Sequence, residues 1–188
     1  MTTLRTQEDI ELHRSKILES IESSSDRINS RIKKHDSLGL FHAMKFDELG
    51  CDPLDKSKAW NLVEQINQTF TYLVSMKAAE VIFLECKSVE SIECNLGTSS
   101  GYDLIGRDKN GGILVAAEVF SAVKTKNNGK LRKDVLKVME SKASHMYVFF
   151  STTMVKDCNP YLYYEPKFDA SSVKIVSFNS KTLLSKLI

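Results

Sequence analysis

Apolar residues Ile10, Ile17, Leu18, Ile21, Ile28 and Ile32 recur at spacings near seven and four. That period is helical and predicts an amphipathic helix over residues 6–34. Arg14, Ser24 and Ser25 interrupt the stripe, and Ser23-Ser24-Ser25-Asp26 has the composition of a helix cap. The segment therefore reads as one long helix or two shorter ones. Residues 35–55 read as a loop, from Gly39, Gly50 and the Cys51-Asp52-Pro53 turn signal, and Leu40, Phe41 and Phe46 predict that it packs down. Asp55 then stands at the cap position of a long helix expected over 58–85. Its Trp60, Val63, Ile66, Phe70, Leu73, Val74, Ala78 and Ile82 wrap more than one face, as in a helix central to its domain.

Beyond that helix the period shortens. Residues 91–96, 102–107 and 113–123 read as three strands, separated by Gly97-Thr98-Ser99-Ser100-Gly101 and by the hairpin-like Asp108-Lys109-Asn110-Gly111-Gly112. The third strand is apolar almost throughout, which predicts burial on both faces. Asn127-Asn128-Gly129 breaks it. An amphipathic helix follows over 130–142, through Leu131, Val135, Leu136, Val138 and Met139. Residues 145–151 form a fourth strand, 173–178 a fifth and 180–188 a closing helix. The class is α/β, divided into a helical extension and loop over 1–55 and an α/β core over 56–188.

Composition agrees with this pattern. The chain has 188 residues, 42% hydrophobic and 27% charged, which suits one globular domain rather than a disordered one. No apolar run approaches the roughly 20 residues of a membrane-spanning helix, and residues 1–10 lack the pattern of a secretory signal. Cys51, Cys86, Cys94 and Cys158 form no Cys-x-x-Cys pair, and the histidines 13, 35, 42 and 145 do not complete a zinc pattern. Separate reduced thiols and a cytoplasmic location are expected. Net charge is only +2, but Lys124, Lys126, Lys130, Arg132, Lys133, Lys137 and Lys142 face only Asp134 and Glu140 over 121–145. Such a stretch tracks nucleic-acid phosphates or is a solvated helix face.

Chemistry is concentrated in one carboxylate on each of two adjoining strands. Asp103 sits near the start of the second strand, and Glu118 mid-way along the apolar third. A carboxylate buried there persists only if protonated, paired or bound to a cation. Two acids side by side suit Mg²⁺, which takes oxygen ligands and keeps waters and substrate phosphates. The other reading makes Glu118 a structural acid paired with Lys130 or Arg132, and Asp103 a turn residue.

With Gly101-Tyr102-Asp103, Glu118 and Val119, in the order helix, three strands, helix, strand, residues 59–151 resemble the core of the PD-(D/E)xK nuclease family. The resemblance implies a restriction-endonuclease-like fold and a Mg²⁺- or Mn²⁺-dependent DNA endonuclease of restriction or genome-defence type. It implies Asp103, Glu118 and the Val119 carbonyl as metal ligands, with Glu64 as the extra acid that some members take from the first helix. Two departures stand out. Tyr102 replaces the proline before the first acid, and Phe120 replaces the lysine two residues after the second. That lysine orients the attacking water in the family. Lys130 and Lys133 are the substitutes expected from the following helix, since Lys124 lies about 20 Å along an extended strand from Glu118. The basic set Lys124, Lys126, Lys130, Arg132, Lys133 and Lys137 is expected to meet DNA, and a homodimer is expected through the N-terminal helix. The alternative is a nuclease-fold module without activity that binds nucleic acid or a protein; a third reading is a toxin-like or regulatory interaction protein.

Other features carry less. Ser99, Ser100 and His145 lack the spacing of a nucleophile and base, and the glycines do not open a helix as a phosphate loop does. Tyr161, Tyr163 and Tyr164, near Lys156 and Lys167, read as a core-capping cluster or as a base-stacking one.

Overall fold

The computed structural model describes residues 2–34, 36–97, 100–122, 129–153 and 172–185. In chain order its first elements are β1 (Thr2–Leu4), α1 (Gln7–Ile32), α2 (Ser37–Phe46), β2 (Gly50–Asp52), β3 (Asp55–Trp60) and α3 (Leu62–Glu85). There follow β4 (Ser91–Cys94), β5 (Leu104–Arg107), β6 (Ile113–Ser121), α4 (Lys130–Glu140), β7 (His145–Thr152), β8 (Val173–Asn179) and α5 (Ser180–Ser185). The chain divides into two compact units, one of residues 1–10 and 74–188, the other of residues 11–73. This division differs from the expected break at residue 55, because α1 and α3 each change unit along their length.

The first unit holds a six-stranded sheet in the order β1-β4-β5-β6-β7-β8. It is mixed: β1, β4, β5 and β6 pair antiparallel, whereas β6, β7 and β8 run parallel. Alternation along β6 and β7 sends side chains to two faces. On one face Phe120, Val148 and Phe150 pack beneath Leu131, Val135 and Val138 of α4, with the Phe120 and Phe150 rings stacked at 5.1 Å. On the other, Tyr147 stacks on Phe149 and its hydroxyl donates to Glu85 Oε2 at 3.0 Å, at the end of α3. Lys174 Nζ donates to Glu85 Oε1 at 2.6 Å.

In the second unit Ala43, Leu49 and Leu62 form a small core with Ile28 and Met44. Gln65 is buried there and fully used. It accepts from Ser24 Oγ at 2.6 Å and the Cys51 N–H at 3.1 Å, and donates to the Ser20 carbonyl at 3.1 Å. Among the described residues no helix is long and apolar enough to cross a membrane. Cys51, Cys86 and Cys94 are free and buried; Cys158 lies outside the described residues.

Local chemistry explains where the elements depart from expectation. α1 is one helix, because Ser20, Ser24, Ser25 and Ser30 turn their hydroxyls back onto carbonyls three or four residues earlier instead of capping a second helix. The expected loop over 35–55 contains α2, whose N-cap Asp36 accepts the Gly39 N–H at 2.7 Å. Residues 55–60 are a strand, not the start of α3. Asp55 engages Ser57 locally, and the α3 cap is Asn61, whose Oδ1 accepts the Glu64 N–H at 2.8 Å. β1 is too short to show a period, yet its Leu4 is fully buried. On α4, Leu136 and Met139 are exposed, and the buried stripe is Leu131, Asp134, Val135 and Val138. β6 ends at Ser121, two residues short of the expected end; Val123, part of the closing helix and the Tyr161, Tyr163 and Tyr164 cluster lie outside the described residues.

Candidate active site

Leu104 of β5 faces Ala117 of β6, so Asp103 and Glu118 are opposed one step further along the antiparallel ladder. Asp103 Oδ2 accepts the Val119 N–H at 2.7 Å, which makes the carboxylate itself the next rung. Glu118 is 2% exposed. By alternation it shares the α4 face with Phe120, and the side chain that meets it comes from α4. Lys137 Nζ lies 2.6 Å from Glu118 Oε1. That oxygen lacks a hydrogen bond of good angle, so the contact is one of charge. Lys137 also donates to the Gly101 carbonyl at 2.5 Å and stands 5.7 Å from the centre of the Tyr102 ring.

No protein-family model, curated protein or solved structure matches this chain.

A third acid joins the pair. Asp134 is 3% exposed; its Oδ1 takes Lys130 Nζ at 2.7 Å, and its buried Oδ2 has no hydrogen-bond partner. In the sequence Asp134 stands only as a counter-charge within the basic stretch. Its signal was positional: it falls between Leu131, Val135 and Val138 on the stripe that α4 turns inward.

Burial pushes the Glu118 carboxyl up to about 7, with Asp103 adding repulsion and Lys137 opposing both. Burial also raises Asp103, against the Val119 N–H and the charges of Lys130 and Lys137. Asp134 is raised by burial, against Lys130. For Lys137 burial acts downward, but Glu118, Asp103 and Asp134 outweigh it and keep the ammonium charged. Fully ionised, three carboxylates against the ammoniums of Lys130 and Lys137 leave one negative charge over. A proton or a cation completes that balance.

The remaining expected residues are placed as follows. Phe120 is core, stacked on Phe150, with Lys130 Nζ 5.8 Å from its ring centre. Lys130 is held by Asp134, and Arg132 and Lys133 are exposed. The structural partner of Glu118 is neither Lys130 nor Arg132 but Lys137. Lys124 and Lys126 lie outside the described residues. Glu64 belongs to the unit of residues 11–73, where its Oε2 accepts from Asn61 Nδ2 at 3.5 Å.

Among the described residues no three His, Cys, Asp or Glu side chains are grouped to hold a metal ion. Mg²⁺ needs only one or two carboxylates with water and substrate oxygens. Asp103 and Glu118 are hard oxygen donors, Glu118 Oε1 is buried without a directed bond, and the group once fully ionised has one negative charge more than Lys130 and Lys137 offset. The residues fit a hard divalent cation.

Proposed function

We propose that the chain is a Mg²⁺- or Mn²⁺-dependent DNA endonuclease with a restriction-endonuclease-like core of the PD-(D/E)xK kind. The observation that carries this reading is the opposition of Asp103 and Glu118 on the α4 face, with the Lys137 ammonium 2.6 Å from Glu118. The antiparallel run β4-β5-β6, then α4, then β7 parallel to β6 supports it.

Asp103, Glu118 and the Val119 carbonyl would hold the cation. When bound, such an ion neutralises phosphodiester charge and activates a water. Phe120 supplies no ammonium, and Lys137 takes its place from the helix, oriented by Glu118 and the Gly101 carbonyl. Asp134 restrains Lys130 beside Phe120. Arg132 and Lys133, exposed on α4, meet backbone phosphates. Cutting both strands of a duplex calls for two such sites, hence a homodimer.

The test is incubation of supercoiled plasmid with the protein and Mg²⁺ or Mn²⁺. The wild type nicks or linearises it; Asp103→Ala and Lys137→Met do not. A second reading is favoured by the same ion pair, since Lys137 already neutralises Glu118 without a metal. It makes the chain an inactive nuclease-fold module, and its signature is salt-sensitive DNA binding without cutting.

A further inference from the structure

The inner side of α2 packs in the usual way, through Ala43 and Met44 onto Leu49, Leu62 and Ile28. Its outer side is not polar. Leu38, Phe41 and Phe46 are 81%, 72% and 66% exposed, at positions where a surface helix carries charged side chains. Among the described residues of this unit they are the most exposed large apolar side chains.

Cations stand among the rings. Lys45 Nζ lies 5.4 Å from the centre of Phe46, and the His42 ring packs against it at 5.0 Å, tilted by 45°. Lys33 and Lys34 are exposed just before the helix. Two neighbouring acids are engaged: Asp36 caps α2, and Asp47 meets Arg31 at 3.6 Å and His42 at 4.0 Å. Among the described residues Lys33, Lys34 and Lys45 have no carboxylate partner, and Glu48 is the nearby acid left unengaged.

We propose that the outer face of α2 is a stacking platform for unpaired bases of single-stranded nucleic acid. Phe41 and Phe46 take the bases, and Lys33, Lys34 and Lys45 take the phosphates. Exposed rings alternating with unpaired ammoniums are the combination that grips single strands without reading sequence. The core of a protein interface is depleted in lysine. A helix of ten residues spans only about 15 Å, and helices that lie in a membrane surface are often twice as long or more. The platform does not depend on the acid site, so it is tested with that site silenced.

The experiment is fluorescence anisotropy of a labelled oligothymidylate with the whole chain in EDTA, beside a duplex of equal length. Paired bases offer no free face, so the duplex owes the rings nothing, whatever it gains from the basic face of α4, whereas the single strand's binding depends on them. Phe41→Ala with Phe46→Ala weakens it by about thirtyfold, from two stacking contacts near the lower end of their range. Both side chains are exposed, so the fold survives their loss. Lys45→Glu, an independent variant, weakens binding and flattens its dependence on salt. No binding of the single strand, single-strand binding indifferent to the ring variant, or an equal loss of duplex binding in that variant overturns the proposal. So does binding to phosphatidylserine vesicles, or self-association in sedimentation, that the ring variant abolishes while leaving oligonucleotide binding unchanged.

Discussion

Lys137 Nζ lies 2.6 Å from Glu118 Oε1, and it reaches that carboxylate from a helix on the face where the strand itself presents Phe120. Removing one partner of a buried ion pair strands the other, at about 3–5 kcal/mol when both are enclosed. The Lys137 side chain is 42% exposed, so water reaches the pair and screens it. Lys137→Met is therefore expected to cost about 1–2 kcal/mol in urea denaturation. Adding Glu118→Gln removes the stranded charge, and the double variant should be more stable than Lys137→Met alone. Simple additivity of the two changes would show that the residues are not coupled.

The pH dependence of stability follows from Glu118. Its carboxyl is raised to about 7 in the folded chain and ionises near 4.5 when unfolded. Below pH 4.5 it is protonated in both states and contributes no difference. Between 4.5 and 7 the unfolded chain releases the proton first, so folding loses stability as pH rises; above 7 the loss is constant. In thermal melts across this range, the melting temperature of Glu118→Gln relative to wild type should climb from pH 4.5 to 7 and then level. A flat difference would mean that Lys137 holds Glu118 ionised throughout.

Asp103 separates structure from chemistry. Asp103→Asn keeps an oxygen for the Val119 N–H and loses only the charge, so stability should change by less than about 1 kcal/mol. Asp103→Ala leaves that buried N–H unmet and should cost about 1–3 kcal/mol. Both should abolish plasmid nicking. Activity that survives in Asp103→Asn would remove Asp103 from the metal site.

Restoring the family's lysine at its strand position should fail. Phe120→Lys removes a ring stacked on Phe150 and places an ammonium beneath Leu131, Val135 and Val138. Loss of the aromatic packing alone costs about 3–5 kcal/mol, and the buried charge adds to it. Loss of the cooperative unfolding transition is expected by circular dichroism. A folded, more active Phe120→Lys would show that the site was waiting for that lysine and that Lys137 is not its substitute.

Metal binding is open to a direct measurement. A ligand that binds only the folded state at about a hundred times its dissociation constant adds about 2.7 kcal/mol. Mn²⁺ should therefore raise the melting temperature of the wild type, and not that of Asp103→Asn or Glu118→Gln. An equal rise in all three would place the ion elsewhere.

Part of the site was legible before any coordinates. Glu118 stood out because a lone acid inside Ile-Leu-Val-Ala-Ala and Val-Phe is costly without a partner, and Asp103 because it stands near the start of the adjacent strand. The identity of the partner was not legible. Lys130, Lys133 and Lys137 are chemically alike along α4, and only the rotation of the helix against the sheet selects which one meets Glu118. Asp134 was overlooked for a related reason: its charge suggested solvent, while its place on the stripe put it inside. Residues 35–60 were misread because a cap such as Asp36 or Asn61 is a single side chain, and Asp55 was an equally good candidate by composition.

The pattern of apolar positions by itself determined the α/β class, the buried central strand and the helix that follows it, because periods of two and 3.6 are local properties of the backbone. Strand order, the opposition of Asp103 to Glu118, and the choice of Lys137 were decided only by the tertiary structure. Each depends on register between segments distant in sequence, and a shift of one residue sends a side chain to the other face. No local pattern records that choice.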